Sequence, residues 1–273
     1  VIMKPAGDFD RVALFEAFGR AVESLNGEYI SAEDVGVSPA DMMAVRRFTT
    51  HVVGLPEGKD ASGDPSPVTA EGVFRGMKVC IERALGKTDL SGVTVAIQGA
   101  AGHVGSYLSG HLARAGAKLI ITDINVDGLE RLKAEYGATI VGLDEIYDQD
   151  AEVFAPCALG SIINPDTIGR IKAKIIAGAA NNQLATRDMG AEIMKRGIVY
   201  APDYVLNAGG IINVMGEIAG DFDPAWVQGK LTGLEQTLGE ILDQSDKEGR
   251  PSNVIADEIA RQRIEEKRAA KAA

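Results

Sequence analysis

The chain has 273 residues, of which 45% are hydrophobic and 25% are charged, and its formal net charge is −11. This length and hydrophobic content can fill one large or two ordinary domains, and the acidic balance argues against nucleic-acid and anionic-membrane partners. The sequence lacks a run of about 18 apolar residues and therefore predicts no membrane span. Two cysteines and three scattered histidines indicate neither a disulfide framework nor a metal site, and they suit a reducing, cytoplasmic location.

The first 66 residues predict short elements followed by a polar loop. Apolar residues share one face of a predicted helix over 9–25, a short strand is predicted at 29–30, and a second helix at 39–47. From Gly54 to Pro67 the chain is rich in glycine, proline, aspartate and serine, which is typical of a linker or an active-site loop. We therefore place a domain boundary near the end of this loop.

Beyond the loop, predicted strands alternate with predicted helices. The strands are predicted at 93–98, 119–123, 139–141, 151–155, 174–178 and 198–201. The helices are predicted at 70–86, 103–115, 126–136, 165–171 and 187–196, and the chain after Asn207 is predicted to be mostly helical. This alternation predicts an α/β fold with a doubly wound, mostly parallel sheet.

The segment from Val93 to Asp123 is the most informative part of this pattern. It contains a buried strand, a turn with Gly99, Gly102 and Gly105, a helix, a second strand and then an acid. Glycines let the backbone approach a pyrophosphate, and a helix start offers free N–H groups to it. Asp123 stands where a ribose diol can be bound, and its charge would repel a 2′-phosphate, which favours NAD over NADP. The spacing is G-x-x-G-x-x-G rather than G-x-G-x-x-G, so an ordinary crossover with closely packed glycines stays open.

Other candidate contacts follow predicted strands, at the edge where α/β sheets bind ligands. Small residues over 155–160 let the backbone pass close to a cofactor, or simply form a tight turn. Asn181 and Asn182 can hydrogen-bond a ribose or a carboxamide, which is favoured over a helix cap because Asn182 and Gln183 exceed what one cap requires. Gly209 and its neighbouring glycine permit close approach of a small ligand. Thr69 can reach a nicotinamide amide, although helix capping is favoured on the pattern alone.

Asp34 is the strongest acid–base candidate in the chain. It follows a short apolar segment in Ala32-Glu33-Asp34-Val35-Gly36. An aspartate in such a place can exchange protons with an amine, an imine or water. A solvated or turn-capping aspartate is the alternative, and the pattern alone favours it.

Six ordered segments resemble the Glu/Leu/Phe/Val dehydrogenase family, and most closely its leucine, or branched-chain amino-acid, branch. They are LNGEYISAEDVG (25–36), PSPVTAEGVFRGMK (65–78), KLIITDIN (118–125), FAPCALG (154–160), IAGAANNQL (176–184) and GIVYAPDYVLNAGGIINV (197–214). The resemblance implies NAD-dependent oxidative deamination of a small aliphatic L-amino acid to the 2-oxo acid and ammonia. The expected substrates are leucine, valine and isoleucine, and the expected assembly is a homo-oligomer.

The resemblance also implies site residues. Asp34 is the implied catalytic proton shuttle, and no metal site is implied. The implied cofactor contacts are Thr69, Gly99, Gly102, His103, Val104, Asp123, Ala155, Cys157, Ala179, Asn181, Asn182 and Asn207. The implied substrate contacts are Ala32, Asn207, Ile211 and Val214. The implied division is a partial substrate-binding and oligomerisation domain over 1–66, to which 251–273 returns, and a Rossmann-type NAD domain over 67–250.

Two departures from the family pattern matter. The family's Q-G-x-G-x-V turn has one additional residue here, between Gln98 and Val104. The family also places a catalytic lysine in a G-G-G-K segment before the strand that matches residues 1–3, and this sequence does not contain that segment. We therefore expect an N-terminally truncated chain that binds NAD and is nearly inactive by itself. A non-catalytic NAD-binding module and a phenylalanine or glutamate dehydrogenase are the alternative interpretations.

The role of Asp34 can be tested by Asp34→Asn in a chain that carries the upstream lysine segment. The substitution removes the proton-exchanging carboxylate and keeps the side-chain size, so turnover should fall by a factor of about 10² to 10⁴ while NADH binding is retained. Steady-state kinetics and NADH fluorescence titration measure the two effects. Unchanged turnover would remove Asp34 from the mechanism.

Overall fold

The computed structural model describes residues 5, 7–33, 36–56, 61–218 and 223–272. The chain forms two compact units. The first comprises Val1–Pro65 and Ile211–Val227, and the second comprises Ser66–Gly210 and Gln228–Ala273. No helix among the described residues is long and apolar enough to span a membrane.

The helices and strands follow the predicted order along most of the chain. The helices are α1 (Arg11–Glu23), α2 (Pro39–Arg46), α3 (Ser66–Leu85), α4 (His103–Arg114), α5 (Val126–Tyr136), α6 (Met189–Lys195), α7 (Asp203–Leu206), α8 (Gly209–Ile218), α9 (Pro224–Glu248) and α10 (Ser252–Ala272). The strands are β1 (Thr94–Gln98), β2 (Lys118–Thr122), β3 (Thr139–Ile140), β4 (Val153–Pro156), β5 (Ile175–Ile176) and β6 (Val199–Tyr200). A 3₁₀ helix covers Glu145–Asp148.

In the first unit, α1 packs closely on α2. A Cβ on Gly19 would lie 2.6 Å from the carbonyl oxygen of Val45, so the contact needs a glycine. Asp41 is almost fully buried, accepts hydrogen bonds from the backbone and hydroxyl of Ser38, and receives Arg11 Nε at 2.8 Å. The hydrogen bond from Arg11 is the main reason that the pKa of Asp41 lies below its usual value. The apolar cluster under these helices comprises Phe15, Met42, Ala44, Val45, Val52 and Leu55.

The second unit contains a six-stranded parallel sheet in the order β3-β2-β1-β4-β5-β6. On β1, Ile97 pairs with Ile121 of β2 on one side and with Ala155 of β4 on the other. The chain order reverses between β1 and β4, which makes this pair the topological switch point of the sheet. The structure therefore confirms the predicted α/β class with a doubly wound parallel sheet.

Alternate residues of each strand face opposite sides of this sheet. On β1, Val95 and Ile97 lie in one buried cluster, and Ala96 lies in a second one. β4 divides in the same way, with Ala155 in the first cluster and Phe154 in the second. Because both faces are covered, the strands consist of continuous apolar residues rather than of an alternating pattern.

Two predicted elements do not form. Tyr29 and Ile30 are exposed and not in a strand, and the chain near them makes one isolated bridge, from Ser31 to Val52. Residues 165–171 form turns instead of a helix. The reason is a set of competing local hydrogen bonds: Asn164 Oδ1 accepts from the backbone of Asp166 and Thr167, and Thr167 Oγ1 donates to the carbonyl of Ile162.

The division of the chain also differs from the predicted one. Residues 211–227 belong to the first unit rather than to the second. The predicted division placed 251–273 with the first domain, whereas α10 lies in the second compact unit and packs on α6. Ser252 begins this helix, and its Oγ donates to the carbonyl of Tyr200 at 2.7 Å.

Packing between α3, α7 and α9 can be tested with two glycines. A Cβ on Gly76 would overlap Leu206 and lie 3.2 Å from Leu238 Cδ2, and both leucines are fully buried. Gly76→Ala should therefore lower the free energy of unfolding by about 1–3 kcal/mol. In the control, Gly239→Ala on α9, no atom lies within 4 Å of the new Cβ. This variant should raise the stability by about 0.5–1 kcal/mol. Urea unfolding measures both changes, and equal stabilities would contradict this packing.

Candidate functional site

The turn after β1 brings strand and helix backbones into direct contact. Gly99 has φ of +79°, and a Cβ there would lie 2.8 Å from the backbone nitrogen of Ala158. A Cβ on Gly105 would overlap the carbonyl oxygen of Gly99 and lie 3.0 Å from Ala100 Cα. Both positions therefore require glycine, and the backbones of the strand, the turn and the helix approach closely at the switch point of the sheet.

The first turn of α4 is suited to an anion. Gly102 is the N-cap of this helix, and it provides no side chain to cap it. Its own N–H donates to the carbonyl of Gly99 at 3.2 Å. The N–H groups that follow at a helix start carry partial positive charge and bind phosphate oxygens well. His103 is exposed at this position and Val104 is half-buried.

Asp123 follows β2 and lies beside the glycine turn. Its Oδ2 accepts from the backbone N–H of Ala101 at 2.9 Å, and its Oδ1 accepts from the backbone N–H of Asn125 at 2.9 Å. These two bonds fix the plane of the carboxylate. Each oxygen has a second lone pair, so both can also accept from neighbouring hydroxyls. The arrangement fits a ribose diol, and with the glycine turn it fits a dinucleotide.

The loops after β4 and β5 lie next to this turn. Cys157 N–H donates to the carbonyl of Gln98 at 2.7 Å, and Ala180 N–H donates to the carbonyl of Pro156 at 2.9 Å. A Cβ on Gly178 would overlap Pro156. Burial raises the pKa of the Cys157 thiol to about 11, and a hydrogen bond from the Ala179 backbone acts in the opposite direction. A raised pKa favours the protonated thiol over the thiolate at this position.

Asn207 lies just before α8 and forms hydrogen bonds with the loop after β5. Its Nδ2 donates to Asn181 Oδ1 at 2.5 Å and to the carbonyl of Ala179 at 3.2 Å. A Cβ on Gly209 would lie 3.0 Å from Thr69 Cα, so the start of α3 is close to the start of α8. Residues from three distant parts of the sequence thus meet at one edge of the sheet.

The other predicted cofactor contacts differ in exposure. Asn181 and Asn182 are exposed, and Asn182 has φ of +52°, which is uncommon outside glycine. Ala179 and Cys157 are half-buried. Ala155 is fully buried in β4, so its side chain lies in the core rather than at the edge. Within the described part of the chain, no group of three histidine, cysteine, aspartate or glutamate side chains is placed to hold a metal.

The predicted substrate contacts belong to the first unit, except for Asn207. Ala32 is exposed next to the Ser31–Val52 bridge. Val214 on α8 is 4% exposed, and a Cβ on Gly54 would lie 3.9 Å from it. Ile211, one turn earlier on α8, is 59% exposed. Asp34 lies outside the described residues.

Two polar residues of α8 were missed from the sequence. Glu217 Oε2 accepts from Gly54 N at 2.8 Å, from Ser62 Oγ at 2.7 Å and from Ser62 N at 3.2 Å. Asn213 is 2% exposed, and its Nδ2 donates to the carbonyl of Ser62 at 3.1 Å. They tie both sides of the polar loop to the helix that carries Val214. Their spacing of four residues on an otherwise apolar helix was the available signal.

Comparison with known proteins agrees with the family that the six segments resemble. Residues 122–268 match the family model of glutamate/leucine/phenylalanine/valine dehydrogenases. The chain is 47% identical over 255 residues to leucine dehydrogenase of Bacillus subtilis (strain 168), covering 93% of this chain and 70% of that protein. It is 40% identical over 256 residues to phenylalanine dehydrogenase of Bacillus thermotolerans, covering 92% of this chain and 66% of that protein. The crystal structure of L-tryptophan dehydrogenase from Nostoc punctiforme is similar with a TM-score of 0.79 at 38% identity, covering 94% of this chain and 74% of that one.

The attachment of the polar loop can be tested by Glu217→Ala. The change leaves the donors of Gly54 and Ser62 without this acceptor, so the free energy of unfolding should fall by about 1–3 kcal/mol. Glu217→Gln keeps an acceptor oxygen and should lose less. Glu265→Ala, at an exposed position on α10, is the control and should change stability by less than about 0.5 kcal/mol. Thermal unfolding measures all three, and wild-type stability of Glu217→Ala would contradict the attachment.

Proposed function

The chain belongs to the glutamate/leucine/phenylalanine/valine dehydrogenase family, and on that premise we propose that it oxidatively deaminates leucine, valine or isoleucine. The products are the 2-oxo acid, ammonia and NADH. This proposal rests on the arrangement of residues that follow the ends of β1, β2, β4 and β5. There the glycine turn, the Asp123 carboxylate and the Asn181–Asn207 pair lie at neighbouring strand ends.

The turn of glycines and alanines supports a dinucleotide as the cofactor. Gly99, Gly102 and Gly105 leave the backbone and the first turn of α4 open to a diphosphate. Asp123 offers a fixed carboxylate to the adenosine ribose hydroxyls. The same carboxylate would repel a 2′-phosphate, so NAD is preferred over NADP.

When bound, NAD accepts the hydride that leaves the α-carbon of the amino acid. The residues of this chain bind the cofactor and the substrate and orient them for this transfer. We assign Thr69, Asn181, Asn182 and Asn207 to the nicotinamide and its ribose, because amide and hydroxyl groups can donate to and accept from both. The remaining cofactor assignments are the exposed His103, the half-buried Val104, Cys157 and Ala179, and the main chain of the buried Ala155.

Asp34 is assigned to proton transfer. In this assignment its carboxylate accepts a proton from the substrate nitrogen and from the water that attacks the imine, and returns protons as ammonia leaves. The assignment rests on the resemblance of the segment 25–36 to the family.

The side chains on α8 support an aliphatic substrate. Val214 and Ile211 are aliphatic, and the small Ala32 is the third assigned contact in the first unit. Neither aliphatic side chain can pair with a carboxylate, which disfavours glutamate. Asn207 is assigned to the substrate as well as to the cofactor. The free cysteines support a reducing, cytoplasmic location, and the family resemblance supports a homo-oligomer.

The assay that tests this proposal follows NADH absorbance at alkaline pH with leucine, valine, isoleucine, phenylalanine, tryptophan and glutamate. It uses this chain completed to the full length of Bacillus subtilis leucine dehydrogenase, because the chain spans 70% of that protein. We expect kcat/KM for the three aliphatic substrates to exceed the other values by about tenfold or more, and NAD to be preferred over NADP.

The other outcomes separate the alternatives. Preference for glutamate or for an aromatic amino acid would overturn the substrate assignment alone. Tight NADH binding without turnover of any substrate would indicate a non-catalytic binding module. A chain that binds no NADH would overturn the cofactor assignment as well.

A further inference from the structure

Gln183 is fully buried directly after the two exposed asparagines of the loop after β5. Its Nε2 donates to the carbonyl of Gly178 at 2.9 Å and to the carbonyl of Ala180 at 3.0 Å. These carbonyls lie on either side of Ala179. One side chain therefore satisfies two main-chain acceptors inside a tight loop, where an unpaired carbonyl would cost stability.

The other amide atom of Gln183 supports this interpretation. Its Oε1 is buried and has no hydrogen-bond partner among the described residues. Reversing the amide would place an oxygen against two carbonyl oxygens and lose both donated bonds. A buried acceptor without a partner is unfavourable. A glutamine that leaves its oxygen unpaired here is therefore explained by the two hydrogen bonds that its NH₂ group donates.

The loop is also fixed from its outer side. Asn207 Nδ2 donates to the carbonyl of Ala179, which lies between the two carbonyls that Gln183 holds. The carbonyl of Asn182 accepts from Ser161 N–H at 2.7 Å. With φ of +52° at Asn182, the chain points its asparagines to solvent while the next side chain turns inward. Gln183 thus sets the path of the backbone that carries Asn181.

We propose that Gln183 is the positioning residue of the nicotinamide-side loop, so that the affinity for the nicotinamide half of the cofactor depends on its two donated hydrogen bonds. This inference rests on the proposed function, because it takes Asn181 and Asn207 as nicotinamide-side contacts. Gln183 itself is buried and touches the loop rather than the ligand. It acts by holding the contact residues in one geometry before the ligand binds.

The test compares two ligands on one variant. Gln183→Met has a side chain of similar length and removes both donors. NADH contacts the whole site, whereas ADP-ribose uses the glycine turn and Asp123 and lacks the nicotinamide. We expect the dissociation constant of NADH to rise about tenfold and that of ADP-ribose to change by less than about twofold. Isothermal titration calorimetry measures both, and it requires no turnover.

A matched control separates positioning from stability. Asn253 on α10 is likewise buried, its Oδ1 has no partner among the described residues, and its Nδ2 donates to the carbonyl of Arg187 at 3.2 Å. Asn253→Leu should lower the melting temperature and leave both dissociation constants unchanged. Gln183→Asn keeps an NH₂ group and should raise the dissociation constant of NADH less than Gln183→Met does. It replaces the methionine variant in the test if that variant does not fold.

Two results would overturn the inference. Equal weakening of NADH and ADP-ribose would show that Gln183 supports only the overall fold. Unchanged affinity for both ligands in a folded variant would show that the loop keeps its geometry without these bonds. A wild-type chain that binds ADP-ribose and not NADH would instead overturn the nicotinamide assignment in the proposed function.

Discussion

The close approach of backbone segments at the switch point of the sheet is the constraint on which the rest of this structure depends. Gly99 leaves β1 with a positive φ and lies against the loop after β4, while Gly105 lets α4 reach the carbonyl of Gly99. Side chains at these positions would separate the helix from the strand and the loop after β1 from the loop after β4. With glycine there, the backbone N–H groups of the helix start and the carboxylate of Asp123 come to one edge.

Polar side chains hold loops in each of the two units by long-range hydrogen bonds. Gln183 and Asn207 act on the loop after β5 from its inner and outer sides. In the first unit, Glu217 and Asn213 perform the corresponding task for the polar loop next to α8. In both places a main-chain segment without regular structure takes its geometry from polar side chains, of which only Asn207 is also an assigned ligand contact.

The sequence predicted the strands well because both faces of the sheet are covered, which leaves short apolar runs between glycines and turns. It failed at 29–30, where apolar residues remain exposed, and at 165–171, where the Asn164 and Thr167 side chains bond the local backbone instead of permitting a helix. Gln183 was predicted only as one of several amides in the loop after β5, and Glu217 was not singled out. Most of their partners are carbonyl and N–H groups of loops, and a sequence pattern does not identify such partners.

By itself, the sequence determined the fold class and the cofactor class, because glycines in a turn, β-branched strands and a well-placed acid are local properties of the chain, and the resemblance of six ordered segments indicated the family. Only the tertiary structure decided which unit holds α10, which side chain of the loop after β5 points inward, and how Asn207 reaches Asn181 across 26 residues. The physical reason is that burial and hydrogen-bond pairing depend on which segments become neighbours. A local sequence pattern indicates which interactions a residue is able to make, and tertiary packing determines the partner with which it makes them.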